Sequence, residues 1–591
     1  MSSIQRQYKQ GAWSFDLLVL TVLISLLFGL FLGSRPLSTP DEARYSEIPR
    51  EMLARHDFVT PHLNGIKYFE KPPLVYWIQV ASIKLFHPSL GTAVNPAKAS
   101  KLDKAFSTKS ISEWVVRIPN ALLALLGCLF LYAAGRLLFD RKTGILSAVI
   151  LATSFLYFAL ARMVTLDMSL SVFLSSSLLA FLVAVNSPRG LKRRYLCYAA
   201  YSFSALAVLT KGLVGIVFPV MIVGLWILLT HQWRLLKQIY LPTGILLFLL
   251  IVLPWHVLVQ LRNSEFFQFY FIDQQFLRYS TLIAQRYKPD WFFIPILFAG
   301  FLPWVVFLFQ AIAVNFPKTR QQIREKSNHV FLFLWIGIIF SFFSLSHSKL
   351  IPYILPIFPA IALLTGNYLS TQESRLGIKW GVALLPFIWL ALGGLVILWR
   401  VVDPLADLPK AGIPFLIGGY SVFLLGSLVT AFFYWQHRLK NAFVSLAMGS
   451  AISFIIVSTG IPHVDTRSVK PLAKTLKLLL RPQDKVFSYN NYYQDLPFYL
   501  NQCVMTVNVA GELSFGMQHQ DTKSWMFSAA RFWPLWYSQQ RIFMVTDKVL
   551  YQSLKKNKKS IYFIDSTLHD VLLSNHPVQP RIVRSTQEDK Q

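Results

Sequence analysis

Carboxylates, arginines and aromatic residues are concentrated between residues 40 and 77, in PDEARYSEIPREMLARHDFVTPHLNGIKYFEKPPLVYW. The whole chain has only 28 acidic residues, so this density is unusual. If a helix begins here, Asp41, Arg44 and Tyr45 share one face, because residues three and four apart are neighbours on a helix. An acid, a cation and a hydroxyl on one face could bind a sugar or a phosphate. A solvated helix start with acids in its first turn, Asp41 and Glu42, explains the same pattern.

A second polar group, Tyr68, Glu70 and Lys71, lies directly before two prolines and a short apolar segment at 74–86. The prolines stop a preceding helix and stiffen the chain, so Glu70 and Lys71 are held where the apolar segment begins. Lysine is a natural partner for a lipid phosphate at a membrane surface. The alternative is that Lys71 only extends its charged end to water.

Two turns between apolar segments also carry charge: ARMVTLDM, with Arg162 and Asp167, and LTKG, with Lys211. A charge near membrane depth costs about 3 kcal/mol, so such residues usually face a cavity or a partner. Arg162 and Asp167 could contact a ligand or form a structural pair with each other. For Lys211 the pattern favours a lysine that only reaches to water.

Loop 257–290 and the turn SHSKLIPY, which contains Tyr353, are the last candidates. The charged residues of the loop stand among many aromatic ones and are Arg262, Asp273, Arg278, Arg286 and Lys288. The topology predicted from the basic loops places this loop on the outer side of the membrane. Because Lys and Arg are normally enriched in cytoplasmic loops, an excess of cations on the outer side indicates an anionic ligand. Tyr353 could donate its hydroxyl to a phosphate or belong to an interfacial aromatic belt.

Apolar segments must position all of these residues. The chain has 591 residues, of which 54% are hydrophobic and 15% aromatic. About 20 apolar residues cross a bilayer, so repeated runs of that length predict a polytopic α-helical membrane protein. We predict thirteen transmembrane helices, near residues 13–33, 115–137, 144–160, 168–186, 196–210, 213–231, 238–256, 291–313, 328–346, 349–369, 378–400, 412–436 and 441–460.

Basic loops orient these helices. With the N-terminus in the cytoplasm, the even-numbered spans end in short loops rich in Lys and Arg, as cytoplasmic loops should. Segment 74–86 contains Lys84 and is short for a span, so we predict an interfacial or re-entrant helix. A span there would turn every later basic loop outward. The outer side then holds the first loop 34–114, loop 257–290 and the chain after residue 460.

Composition also limits the function. The net charge of +29 is explained by the basic cytoplasmic loops and anionic lipid, so nucleic acid is not an expected partner. A nucleotide-driven transporter is disfavoured because P-loop and GxGxxG patterns are absent from any suitable context. Cys128, Cys197 and Cys503 are far apart and lack the spacing of a zinc site.

The chain changes character after the last predicted span. In 461–591 the apolar runs shorten, and the strand-like runs KVFSY, CVMTVNV, RIFMVT and SIYFI alternate with helix-compatible ones. We therefore predict a transmembrane domain, 1–460, and a small outer α/β domain, 461–591, of ordinary domain size.

The sequence resembles the GT-C superfamily of membrane glycosyltransferases, and within it the lipid A aminoarabinose transferases, relatives of the protein O-mannosyltransferases. The matching segments are PDEARYSEIPREML, DFVTPHLNGIKYFEKPPLVYW, ARMVTLDM, AVLTKGLVGIVFP, RYKPDWFFIPILFAGFLPW and SHSKLIPYILPIFPA, with GELSFG in the tail. The resemblance implies a GT-C fold of thirteen transmembrane helices, periplasmic juxtamembrane helices and a periplasmic C-terminal α/β domain. It also implies a bacterial inner-membrane enzyme that modifies lipopolysaccharide and gives resistance to cationic antimicrobial peptides.

The resemblance further implies an undecaprenyl-phosphate sugar as donor, 4-amino-4-deoxy-L-arabinose as the usual sugar and a lipid A phosphate as the usual acceptor. It implies roles for the following positions: Asp41 and Asp167 as catalytic carboxylates; Glu42, Arg44, Tyr45, Tyr68 and Glu70 as substrate-binding residues; and Lys71, Tyr353 and Arg278, with Arg262 as the rival arginine, as ligands of the lipid phosphate.

The sequence departs from the family pattern at one position that could bind a metal. Relatives often carry a histidine three residues before the loop arginine, where it could join the position of Glu70 around zinc. This chain has Gln275 there, and glutamine is a poor zinc ligand. We therefore do not expect zinc or another catalytic metal, and Glu70 is the one residue that could bind it.

The mechanism expected from these assignments is an inverting transfer. The acceptor phosphate attacks the anomeric carbon, while Asp41 orients the acceptor or binds the amine of the sugar. Transfer of galactosamine or mannose, or transfer to a protein, remains open. A lipid-linked sugar flippase without chemistry is the alternative from another class.

Overall fold

Helices make up most of the structure, a computed structural model. It describes residues 3–87, 111–277, 287–371, 376–402, 410–509, 511–557 and 560–578. The α-helices in chain order are α1 Ser3–Gly29, α2 Asp41–Arg55, α3 Leu74–Phe86, α4 Glu113–Leu138, α5 Arg141–Ala152, α6 Phe155–Ala161, α7 Leu166–Asn186, α8 Leu191–Lys211, α9 Val214–Thr230, α10 Leu241–Arg262, α11 Phe293–Gly300, α12 Val305–Asn315, α13 Arg320–Glu325, α14 Ser327–Leu345, α15 Phe358–Thr371, α16 Leu376–Val402, α17 Ile413–Trp435, α18 Leu439–Gly460, α19 Lys470–Leu479, α20 Asp495–Leu500, α21 Ser514–Gln518, α22 Ala529–Trp536 and α23 Lys548–Asn557.

Each of the thirteen predicted spans falls on helix. Within the described residues, seven helical segments are long and apolar enough to cross a membrane, or up to nine if each of two bent pairs forms one span. The bent pairs are α5 with α6, at 66°, and Asp290–Gly300 with α12, at 110°. The remaining predicted spans lie on α1, α8, α9 and α16. Segment 74–86 is the separate helix α3, as predicted.

The chain divides into two compact units. The first contains residues 1–34, 69–75 and 117–464, and the second contains 35–68, 76–116 and 465–591. The sequence division at 460/461 assigns the whole first loop to the membrane domain. In the structure most of that loop, including α2, belongs to the same unit as the C-terminal residues.

A six-stranded sheet forms the core of the C-terminal part of the second unit. Its strands are β3 Lys485–Tyr489, β4 Met505–Val507, β5 Met526–Phe527, β6 Ile542–Asp547, β7 Tyr562–Ser566 and β8 Asp570–Ser574. Their order is β5-β4-β3-β6-β8-β7. Strands β5, β4, β3 and β6 run parallel, and β8 is antiparallel to both of its neighbours, β6 and β7. Four of these strands coincide with the predicted strand-like runs, so the predicted α/β tail is confirmed.

A short hairpin follows α2 in the second unit. Strands β1 His62–Leu63 and β2 Ile66–Lys67 are joined by Asn64 and Gly65, both with positive φ, as a two-residue Asn-Gly turn requires. The Asn64 side chain donates to the Val504 carbonyl and accepts from the Val504 N–H, both at 2.9 Å. Residues of the first loop and of the C-terminal part therefore fold together, which fixes the position of α2 within this unit.

Candidate active site

The first turn of α2 carries an exposed acid beside a buried arginine. Asp41 and Glu42 begin the helix, where carboxylates are stabilised by its N-terminus. Arg44 Nη1 donates to Asp41 Oδ1 at 3.3 Å, and the Asp41 side chain is 53% exposed while that of Arg44 is 8% exposed. The prediction that Asp41 and Arg44 are neighbours on one helix face is confirmed, and the Asp41 carboxylate is open to a ligand.

A residue of the C-terminal part completes this group. Arg44 Nη2 lies 2.5 Å from Glu512 Oε2, and the Gln494 amide donates to Glu512 Oε1 at 3.0 Å. Sequence reasoning placed GELSFG in the tail and gave Glu512 no role. We call Asp41, Arg44 and Glu512 the Asp41 cluster.

Glu42, one residue after Asp41, is held inside the unit. Its carboxylate accepts from Arg35 Nη1 at 2.8 Å and from the Ser38 N–H at 2.9 Å. The Glu42 side chain is fully buried. These contacts hold the segment before α2 against its first turn, which is a structural task for a residue that the sequence predicts to bind substrate.

Tyrosines surround the same part of α2. The Tyr45 ring is buried, lies 5.6 Å from the Arg44 guanidinium and packs against Tyr76 with ring centroids 6.3 Å apart. Tyr68 is also buried in this unit. The second unit contains the predicted catalytic residue Asp41 and four of the predicted substrate-binding residues, namely Glu42, Arg44, Tyr45 and Tyr68.

Further along α2 a second acid–arginine pair is buried. Arg50 Nε and Nη2 donate to the two Glu47 oxygens at 2.7 and 2.5 Å, and both side chains are almost completely excluded from solvent. Burial raises the pKa of Glu47 to about 7, although Arg50 acts in the opposite direction. This pair holds α2 in place and offers no surface to a ligand.

In the first unit, Asp167 stands in the first turn of α7. The Thr165 hydroxyl caps that helix by accepting from the Met168 N–H at 3.3 Å. The Asn120 amide donates to the carbonyls of Met163 and Thr165 at 2.7 and 2.8 Å. The turn that carries Asp167 is thereby fixed from both sides.

Lys211 is the partner of Asp167. The Lys211 ammonium forms an ion pair with Asp167 Oδ1 and lies 4.1 Å from the centroid of the Tyr353 ring. Both charged side chains are largely buried, at 12% and 14% exposure. The sequence interpretation of Lys211 as a lysine that only reaches to water is therefore wrong. We call Asp167, Lys211 and Tyr353 the Asp167 cluster.

Glycine is needed directly after Lys211. Gly212 has φ +99°, and a Cβ there would lie 2.7 Å from Gln275 Nε2 and 2.8 Å from the Tyr270 hydroxyl. The π-helical segment Gln268–Leu277 thus packs against the end of α8. This close approach fixes the backbone that carries Lys211.

Arg162 contacts backbone groups that the sequence did not suggest. Its guanidinium donates to the carbonyls of Leu27 and Phe28 at 3.2 and 2.9 Å, near the end of α1. The cation that pairs with Asp167 is Lys211.

Glu70 and Lys71 belong to the first unit. The preceding Phe69 packs edge-on against Phe266, with centroids 5.5 Å apart, so the segment is anchored to the chain after α10. Lys71 is buried and Glu70 is half-buried. Arg262 is the exposed last residue of α10, whereas Arg278 lies outside the described residues.

A metal site would need several ligands close together. Among the residues that the structure describes, no group of three or more His, Cys, Asp or Glu side chains could hold a metal ion. The Gln275 amide lies against Gly212. The geometry around the two clusters is that of carboxylates paired with cations, which suits the binding of a phosphate and a sugar.

Two family models match the chain. Residues 106–257 match the dolichyl-phosphate-mannose-protein mannosyltransferase family, and residues 472–575 match the aminoarabinose transferase C-terminal domain. The first match covers α4 to α9 and most of α10, and so contains Asp167 and Lys211. The second covers most of the C-terminal part, including Glu512.

Similar proteins extend these matches. An undecaprenyl phosphate-α-4-amino-4-deoxy-L-arabinose arabinosyl transferase from Sodalis glossinidius is 32% identical over 358 residues, which cover 60% of this chain and 60% of the relative. The chain therefore matches about 60% of the length of the first curated relatives. A transferase of the same name from Pectobacterium carotovorum is 26% identical over 88% of this chain and 90% of its own.

A solved structure matches nearly the whole fold. ArnT from Cupriavidus metallidurans bound to undecaprenyl phosphate is 28% identical, with a TM-score of 0.81 over 95% of this chain and 98% of that one. With the apolar helices already described, these matches identify the chain as a multi-pass membrane protein.

Proposed function

Because the chain belongs to the GT-C superfamily of membrane glycosyltransferases, in the group of the aminoarabinose transferases, we propose that it is an integral-membrane glycosyltransferase. Its donor is a sugar on undecaprenyl phosphate, and the sugar is 4-amino-4-deoxy-L-arabinose. Its acceptor is a phosphate of lipid A, so the product is a modified lipopolysaccharide with less negative charge. Lower negative charge weakens the binding of cationic antimicrobial peptides, from which resistance follows.

The observation that carries this proposal is the likeness to a solved structure that was bound to undecaprenyl phosphate, over 95% of this chain. The two clusters supply chemistry of the kind that such a lipid needs. Cations beside carboxylates can hold a phosphate while the carboxylates hold the hydroxyls or amine of a sugar. The basic loops support an inner-membrane location with the site and the C-terminal domain in the periplasm.

In the proposed reaction an oxygen of the lipid A phosphate attacks the anomeric carbon of the sugar. The new bond forms on the face opposite the carrier, the bond from the anomeric carbon to the carrier phosphate breaks, and undecaprenyl phosphate leaves with the electron pair. Lys71, Tyr353 and an arginine of loop 257–290, Arg278 or Arg262, hold the departing phosphate and stabilise its charge.

The acceptor phosphate is already ionised, so the reaction needs no strong base. Asp41, which is exposed beside Arg44, binds the sugar amine or orients the acceptor. Asp167 holds the Lys211 ammonium over the ring of Tyr353, a proposed ligand of the departing phosphate. Tyr45, Tyr68 and Glu70 are further proposed contacts of the substrate, while Glu42 supports the start of α2 from within the second unit.

The test is to express the protein in a Gram-negative strain that lacks its own aminoarabinose transferase but makes the donor. Mass spectrometry of lipid A should show the added mass of one or two aminoarabinose residues, which an empty vector does not give. A hexose or hexosamine added instead, or a sugar added to protein, would support another transferase of this superfamily. Unmodified lipid A together with an altered distribution of the carrier lipid between leaflets would contradict the enzyme and support a flippase.

A further inference from the structure

Two basic segments on the predicted cytoplasmic side lie against each other in the first unit. Segment 187–195 joins α7 to the first turn of α8, and segment 231–240 joins α9 to α10. Arg189 Nε and Arg193 Nη1, from the first segment, donate to the same oxygen of the second segment, Gln238 Oε1, at 3.3 and 2.6 Å. The two segments therefore form one surface, which we call the α8–α10 surface.

The charge of this surface is entirely positive. The sequence from 168 to 264 contains no Asp or Glu, and the two segments carry six cations, namely Arg189, Lys192, Arg193, Arg194, Arg234 and Lys237. Another basic group on the same predicted side is neutralised within the protein, because Asp16 pairs with Arg136 at 2.8 Å and with Arg141 at 2.6 Å. The α8–α10 surface has no such carboxylate of its own, so an anion from outside the chain can take that place.

The arginines of the α8–α10 surface are held by uncharged acceptors. Arg189 and Arg193 share the amide oxygen of Gln238, and Arg194 Nε donates to the Tyr198 hydroxyl at 3.2 Å. Two guanidiniums that share one uncharged oxygen repel each other, and an anion bound beside them would offset this repulsion. Arg189 and Arg194 are exposed and use Nε in these bonds, so their terminal nitrogens can donate to a ligand.

Exposed apolar and aromatic side chains stand among these cations. Leu191 and Tyr195, in the first turns of α8, are 67% and 65% exposed, and Trp233 and Leu236 of the second segment are 53% and 40% exposed. Trp and Tyr are enriched where the headgroups of a bilayer meet its acyl chains. The combination of cations with exposed aromatic side chains therefore fits a lipid better than a small dissolved anion.

We propose that the α8–α10 surface binds the headgroup of an anionic phospholipid from the leaflet next to it. The terminal nitrogens of Arg189 and Arg194 donate to the phosphate oxygens, and Tyr195 and Trp233 contact the glycerol and the first part of the acyl chains. A zwitterionic phospholipid also has a phosphate, but its ammonium group would meet only cations here. This binding does not depend on the proposed sugar transfer.

The experiment is a lipid titration of the purified full chain in detergent, followed by native mass spectrometry. Wild type should bind phosphatidylglycerol more tightly than phosphatidylcholine. Because each cation near a lipid surface contributes about fivefold in affinity, Arg189→Gln/Arg194→Gln should bind phosphatidylglycerol about 30-fold more weakly. The matched control, Arg320→Gln/Arg324→Gln, removes two exposed arginines of α13, which also carries Glu325, and should weaken binding less than about threefold.

A second variant guards against a loss of structure. Lys192→Gln/Lys237→Gln removes two exposed charges from the same surface without touching the arginines that bond to Gln238, and it should also weaken binding of phosphatidylglycerol. Thermal unfolding in detergent without added phospholipid should be the same for wild type and for each variant, since the substituted side chains are exposed. A weaker binding with unchanged unfolding temperature supports the site.

Three results would overturn the proposal. Equal binding of phosphatidylglycerol and phosphatidylcholine by wild type would show that the surface does not select an anionic lipid. A loss in the α13 control as large as in the Arg189/Arg194 variant would show diffuse attraction between charges and no defined site. Full displacement of phosphatidylglycerol by an equal concentration of inorganic phosphate would show a site for a small anion. Since donor and acceptor are absent from the titration, each of these results leaves the proposed transfer untouched.

Discussion

Two acid–arginine pairs of identical spacing lie on α2, and they differ in burial. Asp41 and Arg44 are three residues apart, as are Glu47 and Arg50, so the helix places each acid beside its arginine in the same way. Asp41 is 53% exposed, while Glu47 and Arg50 are excluded from solvent. Spacing alone therefore predicts that a pair forms, whereas its surroundings decide whether the acid can meet a ligand.

The largest expected effect comes from breaking the buried pair. Arg50→Met leaves Glu47 buried without its cation, which typically costs about 3–5 kcal/mol of stability. We expect a sharp loss of folded protein in detergent, measured by size-exclusion chromatography and thermal unfolding. The double variant Glu47→Leu/Arg50→Met removes both charges and should recover most of the loss. If Arg50→Met is as stable as wild type, the pair is not structural.

At the exposed pair, Asp41 and Arg44, we expect a substitution of the acid to lower transfer activity without lowering stability. Asp41→Asn keeps the shape of an exposed side chain but removes its charge, so the thermal unfolding temperature should not change. Transfer of the sugar to lipid A should fall about 100-fold, because the sugar or the acceptor would no longer be held in the reactive orientation. Lipid A modified at the wild-type level would refute the role of Asp41, and Glu47→Gln serves as the comparison for a buried acid of the same helix.

Features with a local signal in the sequence were predicted correctly. The apolar runs, helix α3, the start of α2 and the Asp41–Arg44 neighbours follow from hydropathy, proline and helical spacing, and all are present in the structure. The four strand-like runs of the tail are strands for the same reason. The sequence did not identify β5, which has two residues, or β8.

Partners that are distant in the sequence could not be predicted. Lys211 and Asp167 stand 44 residues apart, at the end of one helix and the start of another, and only the packing of α7 against α8 brings them together. Lys211 lies on the predicted outer side, where lysine opposes the orientation rule, and that signal could have indicated a partner. Glu512 gave no such signal, because one glutamate in a tail domain has no distinctive spacing.

Asp495 is a buried carboxylate that accepts hydrogen bonds from a hydroxyl and a backbone N–H, and it can be compared with the buried acid Glu47, which is paired with an arginine. Asp495 Oδ2 accepts from the Ser468 hydroxyl at 2.7 Å and from the Val469 N–H at 2.9 Å, and the residue is fully buried. Burial raises the pKa of Asp495 to about 7. The folded protein therefore holds this proton more tightly than the unfolded chain, so its stability should fall as the pH rises from about 4 to about 7 and should then level off.

Thermal unfolding between pH 5 and pH 8 tests whether the stability falls as the pH rises. The wild-type unfolding temperature should decline toward pH 7, and Asp495→Asn, which cannot titrate, should decline less over the same range. Asp521→Asn, a substitution in an exposed loop of the same unit, is the control and should follow wild type. Equal slopes for Asp495→Asn and wild type would show that Asp495 remains ionised throughout this pH range.

The smallest effect is expected at the third pair of α2. Arg55 Nε lies 3.4 Å from Glu51 Oε2, and the Arg55 side chain is 31% exposed, so water and salt screen this pair more than the buried one. Arg55→Gln should cost less than about 1 kcal/mol and leave transfer unchanged. The Glu51 carboxylate still accepts a hydrogen bond from the Gly65 N–H at 2.9 Å in this variant. Chemical denaturation at low and high salt measures the difference. A loss as large as that of Arg50→Met would mean that burial does not rank the pairs on this helix.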